Sequence, residues 1–158
     1  MDSPIEIKNR MEIKVRKAKL PDLSAILELV KELAVYEKAG DQVTATLRNY
    51  ETAFKEKVFE SLVAEVDGLI VGMTLHYMAY STWKGKMLYL EDFVVMEAYR
   101  NKGVGQKLFD AFIEEAQLKN AVMVKWQVLD WNKPAIAFYE KNKAIFDKGW
   151  WNVKMFFL

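Results

Sequence analysis

Arg100-Asn101-Lys102-Gly103-Val104-Gly105 stands between two runs of different character. Before it lies an apolar run, Tyr89-Leu90-Glu91-Asp92-Phe93-Val94-Val95. After it comes an amphipathic one, Gln106-Lys107-Leu108-Phe109-Asp110-Ala111-Phe112-Ile113. The pattern reads as a strand, a glycine loop and a helix start. Such a turn leaves the first N–H groups of the helix unpaired and aimed at one spot, where the helix dipole favours an anion. A phosphorylated cofactor is the expected occupant. A P-loop requires Gly-x-x-x-x-Gly-Lys-Ser/Thr, but Gln106 and Lys107 follow Gly105. A dinucleotide fingerprint requires a third glycine where Leu108 stands. For the six residues in isolation, a glycine turn that merely starts a helix is an equal reading.

The rest of the chain bounds the class. Its 158 residues suffice for one domain with a full core. A composition of 52% hydrophobic and 28% charged residues is that of a soluble globular protein. A net charge of +1 gives no argument for nucleic acid or for an anionic membrane. No apolar run approaches the roughly 20 residues that cross a bilayer. Met1-Asp2-Ser3-Pro4-Ile5-Glu6 lacks the basic-then-apolar pattern of a secretion signal. With no cysteine, disulfides and thiolate metal sites are excluded, and any thiol in the chemistry comes from a cofactor. No metal is expected, and the cytoplasm is the default compartment. Residues 1–10 read as a flexible extension or as sequence preceding a natural start at Met11, with 11–158 as a single domain.

Periodicity supplies the elements. Glu12-Ile13-Lys14-Val15-Arg16 alternates as a first strand. Pro21-Asp22 opens a helix whose buried stripe is Leu23, Ile26, Leu27, Val30, Leu33 and Ala34, and Ala39-Gly40 ends it. A second helix follows Thr46. Residues 62–66 and 69–75 are joined by Asp67-Gly68, a hairpin signal. A strand over 87–95 leads to the glycine loop. The near-continuous apolar run 121–129 suits a central, doubly covered strand. Asn132 caps a short helix with Pro134 in its first turn. Trp150-Trp151-Asn152-Val153-Lys154-Met155-Phe156-Phe157-Leu158 reads as a last strand that must be buried in the sheet or against a partner. The order predicts a mixed α+β fold rather than a repeated β-α one.

Arg-x-x-Gly-x-Gly after a strand ending Phe93-Val94-Val95 resembles the acyl-CoA loop of the GNAT N-acetyltransferases. Several further segments look like the diamine (spermidine/spermine) acetyltransferase branch. They are residues 88–96, Tyr99-Arg100, Trp131-Asn132-Lys133-Pro134, Phe138-Tyr139, Gly149-Trp150 and residues 31–37. The resemblance runs from about Glu12 to the C-terminus. It implies a mostly antiparallel central sheet, with a parallel pair splayed at the cofactor site and helices on both faces. It also implies a homodimer.

Acetyl transfer to an amine needs a held donor, a neutral amine, a stabilised oxyanion and a protonated leaving thiol. Backbone amides over Lys102, Gly103, Val104, Gly105, Gln106 and Lys107, after Arg100 and Asn101, are expected to cradle the pyrophosphate of acetyl-CoA. By resemblance, Phe93 and Val95 offer backbone groups to the pantetheine arm, and the N–H of Val94 or Val95 meets the carbonyl oxygen. Asn132, with Lys133, Pro134 and Ala135, resembles the family segment beside the arm, although Asn132 also suits a helix cap. Glu91 is the candidate that attracts the ammonium and takes its proton, directly or through water, because alkylamines titrate near ~10.4. Strand alternation sends Asp92 to the opposite face. Tyr139 is the candidate acid for the thiolate, by resemblance. Tyr36 and Glu37 match the family's amine-binding pair. Trp126, Gln127 and Val128 match its channel strand, and Asp130 stands where an acid is usual; Trp126 also reads as core. His76 reads as structural, since no Ser, Cys or ligand cluster accompanies it.

Two departures bear on the acceptor. Phe146-Asp147-Lys148 replaces a longer acidic segment, and a cation there repels the second charge of a polyamine. A lysine-like amine such as thialysine carries a carboxylate that could meet Lys148. Asn142-Lys143-Ala144 lacks the usual glycine, and Asn142 is expected to take the left-handed conformation instead. The sequence reading is therefore an acetyl-CoA-dependent N-acetyltransferase of a small primary amine, by direct transfer. The alternatives are a protein-lysine or aminoglycoside acetyltransferase on the same fold, or a non-catalytic acyl-CoA-binding module.

Overall fold

The structure is a computed structural model describing residues 11–157. The expectation for residues 1–10 lies outside the described residues. The chain divides into two compact units, Met1–Gln127 and Val128–Leu158.

The first unit is built on a five-stranded sheet of order β1-β2-β3-β4-β5. Its strands are β1 (Lys14–Lys17), β2 (Glu60–Val66), β3 (Leu69–Ser81), β4 (Gly85–Val95) and β5 (Met123–Lys125). All neighbours are antiparallel except β4 and β5, which run parallel. Between β2 and β3, Asp67 and Gly68 both have positive φ, 50° and 77°, as a two-residue hairpin turn requires. The parallel ladder stops at Tyr89 opposite Lys125, while β4 continues to Val95. That divergence agrees with the splayed pair. The expected strand over 121–129 is thus shorter than its apolar run. Among the described residues β5 is an edge strand with one neighbour, and its two apolar residues, Met123 and Val124, are only half-buried.

Helix α1 (Leu23–Tyr36) covers one face of the sheet. Leu23, Ile26 and Leu29 pack with Val63, Met73, Leu75 and Val94. The helix starts beside a three-way ion pair in which Arg16 of β1 meets Asp22 at 2.7 Å and Glu65 of β2 at 2.7 Å. It ends earlier than Ala39-Gly40: Glu37 is its C-cap and Lys38 turns the chain with φ 61°. Helix α2 (Leu47–Lys55) follows, capped by Thr46, whose Oγ1 accepts the Asn49 N–H at 3.2 Å.

Helix α3 (Val104–Leu118) covers the other face. Phe112 packs on His76 with ring centres 5.4 Å apart, and Phe109 packs on Phe93 at 6.2 Å. Gly72 permits this approach, because a Cβ there would lie 3.0 Å from Leu108. His76 is buried, and desolvation lowers its pKa to about 4. It is a neutral core residue at neutral pH, as its sequence context suggests.

In the second unit, α4 (Lys133–Lys141) carries Pro134 in its first turn, and the Asn132 side chain accepts the Ala135 N–H at 3.3 Å. The left-handed residue after α4 is Lys143, φ 62°, and not Asn142. Asn142 instead sits at φ −86° and donates its side-chain amide to the Phe138 carbonyl at 2.8 Å. The expected final strand is absent over residues 150–157, which have no strand pairing. Trp151, Val153 and Phe157 there are each more than 90% exposed. Apolar character alone does not make a strand, since a strand needs a neighbour for its N–H and C=O groups.

Candidate active site

The loop residues come together at the N-terminus of α3. Asn101 and Gly103 adopt positive φ, 59° and 87°, and reverse the chain so that Val104 enters the helix. A Cβ on Gly103 would meet nothing within 4 Å, so only backbone conformation demands glycine there. At Gly105 a Cβ would reach ordinary contact with Phe93 and Val95, at 3.7 and 3.8 Å. The loop therefore opens directly beside the end of β4.

Unlike α2 and α4, α3 has no side-chain N-cap. The N–H groups of Val104 and Gly105, at the start of the helix, have no intrahelical acceptor. An open cavity of about 650 Å³ adjoins the loop, lined by Met11, Ile13, Lys102, Gly103 and Lys107. Two lysines and an uncapped helix start fit a pyrophosphate. Gln106 points along the helix and donates to Asp110 at 2.8 Å. Arg100 donates Nε–H to the Val95 carbonyl at 3.0 Å and lays its guanidinium over the Tyr36 ring, 5.3 Å from its centre. This contact ties the cofactor loop to the end of α1.

Glu91 and Asp92 depart from the expected alternation. The β3–β4 register pairs His76 with Leu90 and Leu75 with Asp92, so Glu91 has no opposite residue. It is the extra residue of a β-bulge. Leu90 and Phe93 both lie on the α3 face, since their neighbours His76 and Phe109 do. The two residues between them both turn to the α1 face. Asp92 is thus beside Glu91, not opposed to it: strand alternation is a rule for unbroken pairing, and the bulge breaks the pairing.

The α1 face at the bulge is rich in carboxylates and phenols. The Tyr77 hydroxyl donates to Glu91 at 2.9 Å, and Tyr77 stacks on Tyr89 at 5.3 Å. Asp92 is half-buried, and its pKa is pushed up to about 6 by desolvation first, then by the charges of Glu91 and Glu37. Burial likewise raises Glu37 at the end of α1. The Tyr50 phenol of α2 is raised by burial and by Asp92 and Glu91. Glu37 and Glu91 are therefore brought to one face, and Asp92, Tyr50, Tyr77 and Tyr89 join them. The signal that could have found Asp92 is the pair of adjacent acids within an apolar strand.

Of the channel residues, Trp126 packs edge-on against Phe109 at 5.6 Å, on the α3 side, as a core residue does. Gln127 is exposed. Phe93 packs on Phe109, and Val94 is buried in the α1 core. In the second unit Tyr139 is buried, with its ring edge-on to Phe138 at 5.7 Å. Val128 is half-buried, and Asp130, Lys133 and Pro134 are exposed. Asp147 accepts the Trp150 indole N–H at 3.1 Å, while Lys148 is exposed beside Gly149, whose φ is 102°. Among the described residues no group of His, Cys, Asp or Glu could hold a metal, and no helix is long and apolar enough to cross a membrane.

The chain is similar to known proteins over most of its length. A thialysine N-epsilon-acetyltransferase of Bos taurus is 39% identical over 138 residues, covering 81% of each chain. A Caenorhabditis elegans protein of the same description is 32% identical over 133 residues, covering 82% of this chain and 83% of that one. A human spermidine/spermine N(1)-acetyltransferase-like protein 1 is 32% identical over 148 residues, covering 86% of this chain and 21% of its own. In fold, the chain is similar to an aminoglycoside acetyltransferase from an uncultured soil metagenomic sample, with TM-score 0.78, 19% identity, and 97% and 100% of the two chains covered. Residues 23–143 match the model of the Acetyltransferase (GNAT) family. A glycine loop at an uncapped helix start, a diverging parallel pair and a sequence match over most of the chain agree, and the chain belongs to the GNAT acetyltransferase family.

Proposed function

We propose that this protein transfers an acetyl group from acetyl-CoA to a primary amine of a small molecule that carries a second cationic centre, thialysine first among them and diamines next. The carboxylate-lined face at the β4 bulge carries this reading: Glu91, Asp92 and Glu37 share it. Three acids attract a dication; burial, then the charges of Glu91 and Glu37, raises the proton affinity of Asp92, and burial raises that of Glu37. The thialysine acetyltransferase relatives and the exposed Lys148 favour an acceptor with a carboxylate.

Acetyl-CoA supplies the activated acetyl thioester. The loop amides after Arg100 and Asn101, over Lys102, Gly103, Val104 and Gly105 and on to Gln106, would hold its pyrophosphate together with the Lys107 side chain, since the Lys107 N–H is donated to the Gly103 carbonyl at 3.1 Å. Phe93, Val95, Asn132, Lys133, Pro134 and Ala135 would hold its arm. Tyr36, Glu37, Trp126, Gln127, Val128 and Asp130 shape the amine site. Glu91 faces the ammonium and begins its deprotonation. The amine nitrogen forms the new C–N bond as the thioester C–S bond breaks. Of the two protons the nitrogen gives up, one is carried off by the bulge carboxylates to solvent. The other balances the proton that Tyr139 hands to the sulfur. A phenol suits that task, since near pKa ~10 it keeps its proton until a thiolate forms. The absence of cysteine agrees with direct transfer. A single domain over 11–158, a cytoplasmic setting and a homodimer that covers the exposed apolar residues 150–157 belong to the same proposal.

CoA release, assayed with thialysine, lysine, putrescine, spermidine, spermine and a lysine peptide, tests it. Turnover of thialysine or a diamine well above the peptide is expected. Binding of acetyl-CoA without turnover on any amine would make the chain a binding module. Tyr139→Phe should lower kcat by roughly 10²–10⁴ and leave acetyl-CoA affinity unchanged; an unchanged kcat removes Tyr139 from the chemistry.

A further inference from the structure

We propose that Lys125, at the end of β5, binds the carboxylate of the acceptor and so selects free lysine-like amino acids over diamines and peptides. The proposal rests on the amine acetyltransferase reading and names the class of amine that its acceptor face takes.

Register fixes the face that Lys125 occupies. It is the last paired residue of β5 and stands opposite Tyr89 in the parallel ladder. Residues paired across neighbouring strands share a face. Tyr89 pairs in turn with Tyr77 of β3, and the two phenol rings stack with centres 5.3 Å apart and planes at 25°. The Tyr77 hydroxyl donates to Glu91, so this row borders the carboxylates of the bulge. Trp126, the next residue, packs on Phe109 of α3, and alternation turns Lys125 to the α1 face. Across three strands the row reads Tyr77, Tyr89, Lys125: two rings with acids at one corner and a cation at the edge. Lys125 is exposed, and none of the ion pairs among the described residues uses it, whereas Lys17, Lys31 and Lys119 each meet a carboxylate. Past Lys125 the β4–β5 ladder ends, so its side chain borders the divergence of the two strands. Lys125 lies in the same unit as the bulge, and Lys148 lies in the other.

The spacing suits an amino acid with a long side-chain amine. Glu91 is two residues along β4 from Tyr89, and Lys125 is one strand across from it. At ~3.3 Å per residue and ~4.8 Å per strand, that diagonal is about 8 Å. Six bonds separate the side-chain nitrogen of lysine or thialysine from its carboxyl carbon. Three extended backbone bonds advance ~3.3–3.6 Å, so six span about 7 Å. The ammonium then sits at the bulge, the carboxylate at Lys125, and the chain between them on the Tyr77–Tyr89 rings. A thioether on that floor makes favourable sulfur–aromatic contacts. The Lys125 ammonium donates to the carboxylate as a charge-assisted hydrogen bond, and no covalent bond changes. A diamine places its second ammonium against Lys125 and is repelled. A lysine inside a peptide has no α-carboxylate to offer.

Two acceptors that differ only in the carboxylate test this: thialysine, and bis(2-aminoethyl) sulfide, which keeps its chain and both amines. The wild-type protein should have the higher kcat/KM for thialysine. Lys125→Met should lower that value on the order of tenfold, mostly through KM, as expected for one hydrogen bond to a charged group at a partly exposed site. The same variant should raise kcat/KM for the sulfide diamine severalfold, because a repelling cation is gone. Lys125→Glu should reverse the preference, and Lys125→Arg should restore most of it. High salt should shrink the wild-type discrimination. An equal loss on both acceptors, or no loss on thialysine, overturns the proposal. A thialysine-specific loss that appears in Lys148→Met and not in Lys125→Met overturns it too, and moves the carboxylate to the second unit. Calorimetry of the two acceptors with the CoA-loaded protein reads the same difference without turnover. Failure of the wild-type protein to acetylate any amine defeats the functional reading alone, and the calorimetric comparison still decides Lys125. Acetyl-CoA affinity and circular dichroism of each variant separate a local effect from misfolding.

Discussion

The glycine loop and the β4 bulge lie at successive stretches of one chain, yet they are specified in different ways. The loop, residues 100–105, is a local device. Asn101 and Gly103 reverse the chain by their own backbone conformations, and the helix that follows leaves its first amides uncapped. The bulge at Glu91 exists only because β3 offers no residue opposite it. One is written in residue types, the other in pairing. In the proposed reaction the loop serves the donor, and the bulge serves the acceptor.

That division can be broken by variants that touch one region at a time. The largest effect is expected from the bulge. Replacing both acids, Glu91→Gln with Asp92→Asn, should lower kcat by roughly 10²–10³, with acetyl-CoA affinity within about twofold by calorimetry. A large loss of cofactor affinity would show that the two regions are not separable. The loop variant Gly103→Val should do the reverse. A branched residue at φ 87° costs about 1–2 kcal/mol, so acetyl-CoA should bind about tenfold more weakly while kcat at saturation stays near wild type.

A third test concerns stability. Asp92 has a raised folded value, so the folded state holds more protons than the unfolded one between pH 3.8 and about 6. Stability from this group therefore falls as pH rises through that window. Asp92→Asn should raise Tm by several degrees at pH 8, corresponding to about 1–3 kcal/mol, and give no gain at pH 3.5. His76 has the opposite sign: its lowered value makes stability fall as pH drops from 6.5 to about 4. A Tm gain for Asp92→Asn that is equal at both pH values would refute the account of its burial. The smallest effect is expected at Lys107, whose Nζ reaches the Ile13 carbonyl at 3.5 Å at the rim of the cavity. Lys107→Met should weaken acetyl-CoA binding about twofold, and less at high salt.

Much of the fold was legible because its signals are short. Thr46 and Asn132 cap the helices they precede, Asp67-Gly68 turns a hairpin, and the stripe Leu23–Ile26–Leu27 faces the sheet. Membership of the GNAT family was legible for the same reason, since the loop and its flanks are contiguous. What failed depended on partners. The run 121–129 pairs over only three residues, because apolarity cannot say how long two strands stay together. Residues 150–157 are mostly apolar but have no neighbour within the described sheet. Asn142 found a carbonyl for its side chain, which left Lys143 to make the left-handed turn.

By itself, then, the sequence determined the family, a GNAT N-acetyltransferase, and the glycine loop proposed to hold the donor, encoded in six consecutive residues. Backbone conformation and helix-end chemistry are nearest-neighbour properties, and these residues carry them wherever the chain goes. Only the tertiary structure decided the acceptor side. Whether Asp92 stands beside Glu91 or behind it depends on one unpaired residue in a ladder between distant segments. Its proton affinity depends first on burial, then on Glu91 and on Glu37, which arrives from the end of α1. Burial and charge crowding are properties of the assembled faces, and no stretch of residues states them alone.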